Sequence, residues 1–266
     1  MRSATLDTYP GLLTVRSAVL GDFEVSVPGA SELDPETDTL WIAAKATHLE
    51  AALELAPPES VAKATVVPLL NGIDHVALLR RRYGNVVAGT IRVESERVER
   101  WRIRQSSPFI RVELARAGTL VAELEHAGIE ARIQDDEQTL LWEKLAFLAP
   151  LALATTALDA PLGDVREDER FRRAQDEALA VARLEGAHID AKALKALAAR
   201  ASASMRTSMQ KDVAAGRPPE LDAIAGPIVR GGERHGIDVS TTRQLIKLIE
   251  ARAQPSGSAG TLRASA

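Results

Sequence analysis

Residues 137–158, EQTLLWEKLAFLAPLALATTAL, constrain the fold of this chain more than any other stretch. Leu140, Leu141, Trp142, Leu145, Phe147, Leu148, Leu151 and Leu153 fall on every side of a helical wheel, the pattern of a helix buried all round. The fold must therefore wrap this segment in other elements. One ammonium interrupts it. Lys144 is strongly hydrated in isolation and has to reach water, meet a carboxylate or line a cavity. On the helix alone two readings stand: Lys144 snorkels beside Glu143, or it faces a site. Pro150 removes one backbone hydrogen bond further along and predicts a kink.

With 45% hydrophobic residues the chain has material for a sizeable core, and 266 residues suit one large domain or two ordinary ones. No uncharged apolar run reaches the roughly 18 residues of a membrane span, and no basic-then-apolar leader opens the chain. Neither a transmembrane helix nor a signal peptide is expected. The absence of cysteine excludes disulfides and thiolate sites and fits a cytoplasmic protein. A net charge of −4 with dispersed Arg and Lys gives no footprint for nucleic acid. The triplet Arg80-Arg81-Arg82 closes a predicted helix, where cations complement the dipole.

Residues 11–28 hold two alternating runs, LLTVRS and AVLGDFEVSVP, about a turn at Leu20-Gly21-Asp22, which predicts a hairpin or consecutive strands. TLWIAAKA at 39–46 is a short apolar strand, followed by the amphipathic helix HLEAALEL and the breaker Pro57-Pro58. ATVVPLL at 64–70 is a second such strand, running into Asn71-Gly72 and a helix over 74–82. NVVAGTIRV at 85–93 is a third. Runs at 101–104 and 109–114 alternate as antiparallel strands do. Strand, helix, strand, helix, strand at this spacing predicts a parallel, doubly wound sheet. Such sheets bind ligands beyond the carboxyl ends of their strands, where Lys45 and Asn71 fall, with Ser95 just past the third strand as a further candidate. Each has a plain structural alternative: Lys45 as a solvated charge, Asn71 as an Asn-Gly turn.

After Ala117 the pattern turns helical. A short helix over 119–128 and a last strand at 131–133 lead into the segment from Glu137, so the expected domains are 1–135 and 136–253. Helices are predicted over 166–186, 192–212 and 240–252, with another starting after Gly216-Arg217-Pro218-Pro219-Glu220. Glu220 falls in that first turn, where a carboxylate favours the dipole. The small, polar tail 254–266 is expected to be disordered. H-E-x-x-H, G-x-S-x-G and G-x-x-x-x-G-K are absent. The five histidines are scattered, His126 and His235 lie near helix ends, and no metal site is expected.

Four pieces occur in one order: AAKATHLEAAL around Lys45, VVPLLNGIDH around Asn71, LWEKLAF around Lys144, and SMQKDVAAGRPPELDAIAGPIVRGGERHGIDV around Ser208, Asp212 and Glu220. In these pieces and their spacing the chain resembles the ketopantoate reductase (2-dehydropantoate 2-reductase) family, from about Gly11 to Ala251. The resemblance implies a Rossmann-like domain that binds NADPH, followed by a helical domain of the 6-phosphogluconate dehydrogenase C-terminal type. It implies that Lys144 is the catalytic acid, that Lys45 and Asn71 line the nicotinamide side of the cleft, and that Ser208 and Glu220 complete the site. Ser95 is kept as a cofactor contact. The implied reaction is NADPH-dependent reduction of a small 2-oxo acid, ketopantoate to pantoate, in pantothenate and coenzyme A biosynthesis. The expected partners are that acid and a second copy of the chain in a homodimer, with no nucleic acid and no membrane.

The residue types suit that chemistry. Hydride addition to a ketone carbon develops negative charge on its oxygen, and a positioned ammonium stabilises and then protonates it. Asn71 could orient the carbonyl or the nicotinamide carboxamide, Ser208 the substrate carboxylate, and Glu220 a hydroxyl of substrate or ribose. Two departures from the family stand beside this. The fingerprint G-x-G-x-x-G occurs nowhere in the chain, which reads as a domain lacking a first strand, turn and helix of roughly 30 residues. Such a domain is expected to bind NADPH weakly and to associate. Where the family carries asparagines after the lysine, this chain has Leu148, about Ala152, and Leu162, so substrate choice is expected to be broader or more apolar. Alternative readings are a non-catalytic remnant serving as a dimerisation or binding module, or a true start upstream.

Overall fold

The computed structural model describes residues 3–253. Their contacts divide them into two units. One holds the residues up to Leu145 with Gly186–His188, the other Ala146–Glu185 and the residues from Ile189 on. The tail expected to be disordered lies outside the described residues.

In the first unit, a short helix α1 (Ser3–Leu6) precedes β1 (Leu12–Ser17) and β2 (Gly21–Ser26), the expected antiparallel hairpin. Gly21 opens β2 with φ +79, a conformation that strains any side chain, and so fixes where the hairpin turns. β3 (Thr39–Ile42) and β4 (Thr65–Pro68) are parallel, with α2 (Leu49–Leu53) in their crossover. β4 is covered on both faces, with Val66, Val67 and Pro68 buried, and reads as a continuous apolar run, while β3 leaves Trp41 exposed. Ile42 and Val66 pack with Leu49, Leu53 and Val61 of the crossover and with Leu79 of α3 (Asp74–Arg80).

The third strand is shorter than the run 85–93 suggests. Val86 makes an isolated parallel bridge to Val66, and β5 (Gly89–Arg92) begins after it. β6 (Ser95–Glu99), β7 (Arg102–Gln105) and β8 (Arg111–Leu114) follow, and β5 pairs with β8 in antiparallel. Gly89 permits this switch of partner, because a Cβ there would lie 2.9 Å from Leu114 Cδ2. α4 (Gly118–His126) then returns the chain to β9 (Glu130–Ile133), parallel to β8. The hairpin joins β6 and β7 in a separate sheet of order β2-β1-β7-β6. SERVE at β6 is wholly exposed and lacks apolar alternation, so only its pairing with β7 reveals it as a strand.

The segment from Glu137 to Leu158 is one helix, α5, running through Pro150. Its first turns belong to the first unit, where Leu140 and Leu141 pack with Val76, Ala88 and Ala115. Its later turns belong to the second, where Leu151 and Ala154 pack with Phe171 and Ala198. By length and composition α5 could cross a membrane, but 83% of its most apolar window is buried inside the protein, the state of a core helix.

α6 (Leu162–Val165), α7 (Glu169–Leu184), α8 (Ala191–Arg200), α9 (Ser208–Ala214), α10 (Leu221–His235) and α11 (Ser240–Ala253) complete the second unit. The helix expected over 192–212 is two helices, because residues 201–207 have other bonds to make. The Ala203 and Met205 carbonyls accept from the backbone N–H groups of Gly163 and Leu162, and Thr207 caps α9 by accepting from Gln210 N. α10 lies close on α7: a Cβ at Gly231 would collide with Val181, so glycine in mid-helix is the condition for this packing.

Candidate active site

In the first unit, two polar side chains leave the sheet at one edge. Ile42 and Pro68 are register partners at the carboxyl ends of β3 and β4, and Lys45 and Asn71 follow them at the same offset. Each thus follows the carboxyl end of its strand by three residues. Lys45 is extended (φ −67, ψ 149) before a 3-10 turn at Ala46–His48. Asn71 precedes Gly72, whose φ of +86 makes the turn into α3. Both side chains are half-buried. Ser95 lies elsewhere, exposed at the start of β6 opposite Gln105.

Lys144 lies on α5, whose first turns pack near α3. α3 and the start of α5 are tied by Arg80, whose Nη1 and Nη2 donate to the two Glu137 oxygens at 2.6 and 2.7 Å. Val76 clusters with Leu140 and Leu141. The Lys144 ammonium acts on His75. Asp136 fixes where α5 begins, accepting from Thr139 N at 3.1 Å and Thr139 Oγ1 at 2.5 Å, and these bonds hold its carboxyl below the usual range. Lys144 is half-buried. Glu143, the carboxylate that snorkelling would leave beside it, pairs instead with Arg92 at 3.1 Å, and Arg92 also faces Glu113 at 3.8 Å.

His75 was not singled out by its motif. It is 7% exposed, and its Nε2 is buried with no hydrogen-bond partner. Burial first, and the Lys144 charge second, push its pKa down to about 4, so the ring is neutral at physiological pH. The sequence did contain a signal: with Val76 and Leu79 it forms the buried face of α3, a spacing that asks what a histidine does there.

In the second unit, Ser208 is exposed at the first position of α9. Asp212, one turn on, is buried and accepts from Arg217 Nε at 2.8 Å, while its carbonyl accepts from Arg217 N. Gly216 (φ +66) and the two prolines lead to Glu220, which stands at the N-cap of α10 rather than in its first turn. Glu220 is 6% exposed, and its side chain makes no capping bond to its own helix. Leu162 is fully buried in the cluster with Leu151 and Phe171, and Ala152 is buried as well, so of the three replaced positions only Leu148 keeps partial exposure. Among the described residues no group of His, Cys, Asp and Glu could hold a metal ion.

The description "ketopantoate reductase PanE/ApbA" matches residues 11–117, and its C-terminal counterpart matches residues 136–253. The 2-dehydropantoate 2-reductase of Caulobacter vibrioides is 31% identical over 229 residues, covering 82% of this chain and 74% of that protein. The chain belongs to the ketopantoate reductase family. Among solved structures, a PanE/ApbA family ketopantoate reductase from Ralstonia eutropha JMP134 superimposes with a TM-score of 0.80 at 25% identity, over 91% of this chain and 84% of that one. D-mandelate dehydrogenase with NADH and anilino(oxo)acetate gives a TM-score of 0.81 at 20% identity, with the same coverage, a likeness of fold. A Rossmann-like N-terminal domain and a helical C-terminal domain are thus the ketopantoate reductase architecture of this chain.

For a nicotinamide cofactor the residues present fit in part. Lys45 and Asn71, just beyond the carboxyl ends of β3 and β4, offer donors and an acceptor at the strand ends where sheets of this kind bind ligands. The glycine turn that lets a backbone approach a pyrophosphate is not among the 266 residues.

Proposed function

We propose that the protein reduces a small 2-oxo acid with NADPH, and that the acid is ketopantoate, giving pantoate for pantothenate and coenzyme A synthesis. What supports this reading is that Lys45 and Asn71 follow the carboxyl ends of the parallel strands β3 and β4, and that the half-buried Lys144 places its charge on His75 in the first turn of α3, the helix that follows Asn71. When bound, the reduced nicotinamide supplies a hydride to the carbonyl carbon. Lys144 donates a hydrogen bond to the carbonyl oxygen, stabilises the charge that grows there and hands over its proton. Half-burial strengthens that interaction relative to water. Asn71 orients the carbonyl or the carboxamide, and Lys45 takes the cofactor side. We assign Ser208 to the substrate carboxylate and Glu220 to a hydroxyl of substrate or ribose. A cytoplasmic homodimer is part of the same proposal.

Steady-state oxidation of NADPH with ketopantoate, and with a branched 2-oxo acid lacking its hydroxyl, tests the reading. Pantoate is the expected product. Because Leu148 stands where an amide would recognise a hydroxyl, the preference for ketopantoate in kcat/KM is expected to be no more than roughly 200-fold. Without a glycine turn the cofactor keeps mainly its nicotinamide-side contacts, so for a polypeptide of these 266 residues the KM for NADPH is expected above about 1 mM, the upper end of ordinary values. A micromolar KM would mean that another segment supplies the phosphate contacts. Turnover of no 2-oxo acid, at any cofactor concentration, contradicts the proposal.

A further inference from the structure

His75 takes no part in the reaction set out above, yet it is buried beside the group that does. Its place follows from packing. The Arg80–Glu137 pair and the cluster of Val76 with Leu140 and Leu141 hold α3 near the start of α5, and Lys144, one turn beyond Leu140, brings its charge to bear on His75, the residue before Val76. Several charged groups lie on the elements around the ring. Arg80 is matched by Glu137, and Arg92 of β5 by Glu143 of α5 and Glu113 of β8. Asp74 is exposed in the first turn of α3, and the charge that acts on His75 is that of Lys144.

We propose that His75 is a positioning residue for Lys144: its neutral imidazole offers the buried Nε2 lone pair to the Lys144 ammonium and holds it in the orientation from which it donates to a substrate oxygen. The role rests on the reading of Lys144 as the acid. An apolar side chain would fill the same space but offer no acceptor there. A charged imidazole would repel the ammonium. Burial supplies the neutral ring, and a buried acceptor with no partner is unfavourable until a donor turns to it. The ammonium has three protons, so a bond to His75 leaves others for the substrate.

The test reads Lys144 directly, by NMR titration of its side-chain nitrogen in the full chain, for wild type, His75→Leu and His75→Gln. Loss of an acceptor for the charged form makes the ammonium release its proton more readily. The His75→Leu midpoint is therefore expected about one pH unit lower, and His75→Gln, whose amide oxygen can accept, is expected near wild type. The alkaline limb of kcat against pH should move in the same order. Equal midpoints in all three proteins overturn the proposal, even if all three reduce ketopantoate and His75→Leu is merely less stable. If His75→Leu does not fold, Lys144→Met is read at the His75 ring, whose midpoint should rise from about 4; an unmoved ring overturns the contact. A wild type that turns over no 2-oxo acid would instead overturn the proposed reaction, with the two titrations still reporting on the contact.

Discussion

A histidine kept neutral by burial, with the Lys144 charge acting on it, has a consequence for stability as well as for the site. His75 titrates at about 4 in the folded chain and at 6.5 when free. Between those values the unfolded chain binds a proton that the folded chain does not, so stability rises with pH through the window. The contribution is fully present above about 6.5 and lost as pH falls toward 4, a difference of about 3 kcal/mol. Asp136 and Asp168, whose carboxyls are held below their usual range by Thr139 and Arg170, act only under more acidic conditions. Urea unfolding at pH 7 and pH 4.5 separates the two effects. Wild type should lose roughly 2–3 kcal/mol more than His75→Gln over that interval; equal losses would show that the ring is not kept neutral by the fold.

Among the elements of the second unit, α11 depends on a carboxylate from another helix. Glu177 of α7 accepts from Thr241 N at 2.9 Å, Thr242 N at 2.8 Å and Thr242 Oγ1 at 2.6 Å, filling donors that α11 cannot pair within itself. Thr242 is fully buried, so water is a poor substitute. Glu177→Ala should destabilise the protein by about 2–3 kcal/mol in denaturant titration; a change under roughly 0.5 kcal/mol would mean that α11 starts without this carboxylate. Nothing in the sequence marks Glu177, because it sits on an unremarkable charged helix sixty-odd residues away from its partners. Local patterns did mark the elements themselves. Continuous apolar runs identified β3 and β4, alternation identified the β1–β2 hairpin, and the all-round apolar wheel identified α5. The pattern failed where long-range bonds overrode it, at β6, which exists through β7, and at 201–207, where carbonyls serve α6 instead of a longer helix.

For the whole molecule, the family and the architecture were legible because four motif pieces keep their order along the chain, and order survives where single motifs are ambiguous. Lys45 and Asn71 could be placed at a strand edge from the sequence, since parallel strands and their ends are local features. The contacts between α3 and the start of α5, where the Lys144 charge acts on His75, could not be read from the sequence, because they join helices about sixty residues apart. Nor could the sequence tell that Leu162 is core rather than wall. The central claim is that the ammonium on the buried helix is the acid of a reductase. It is tested most directly by the steady-state kcat of wild type and Lys144→Ala with ketopantoate and NADPH raised to saturation, with circular dichroism to verify the fold. A fall of about 10²- to 10⁴-fold in kcat, with the helical spectrum retained, is the predicted result; an unchanged kcat would make Lys144 an ordinary snorkelling lysine and contradict the account.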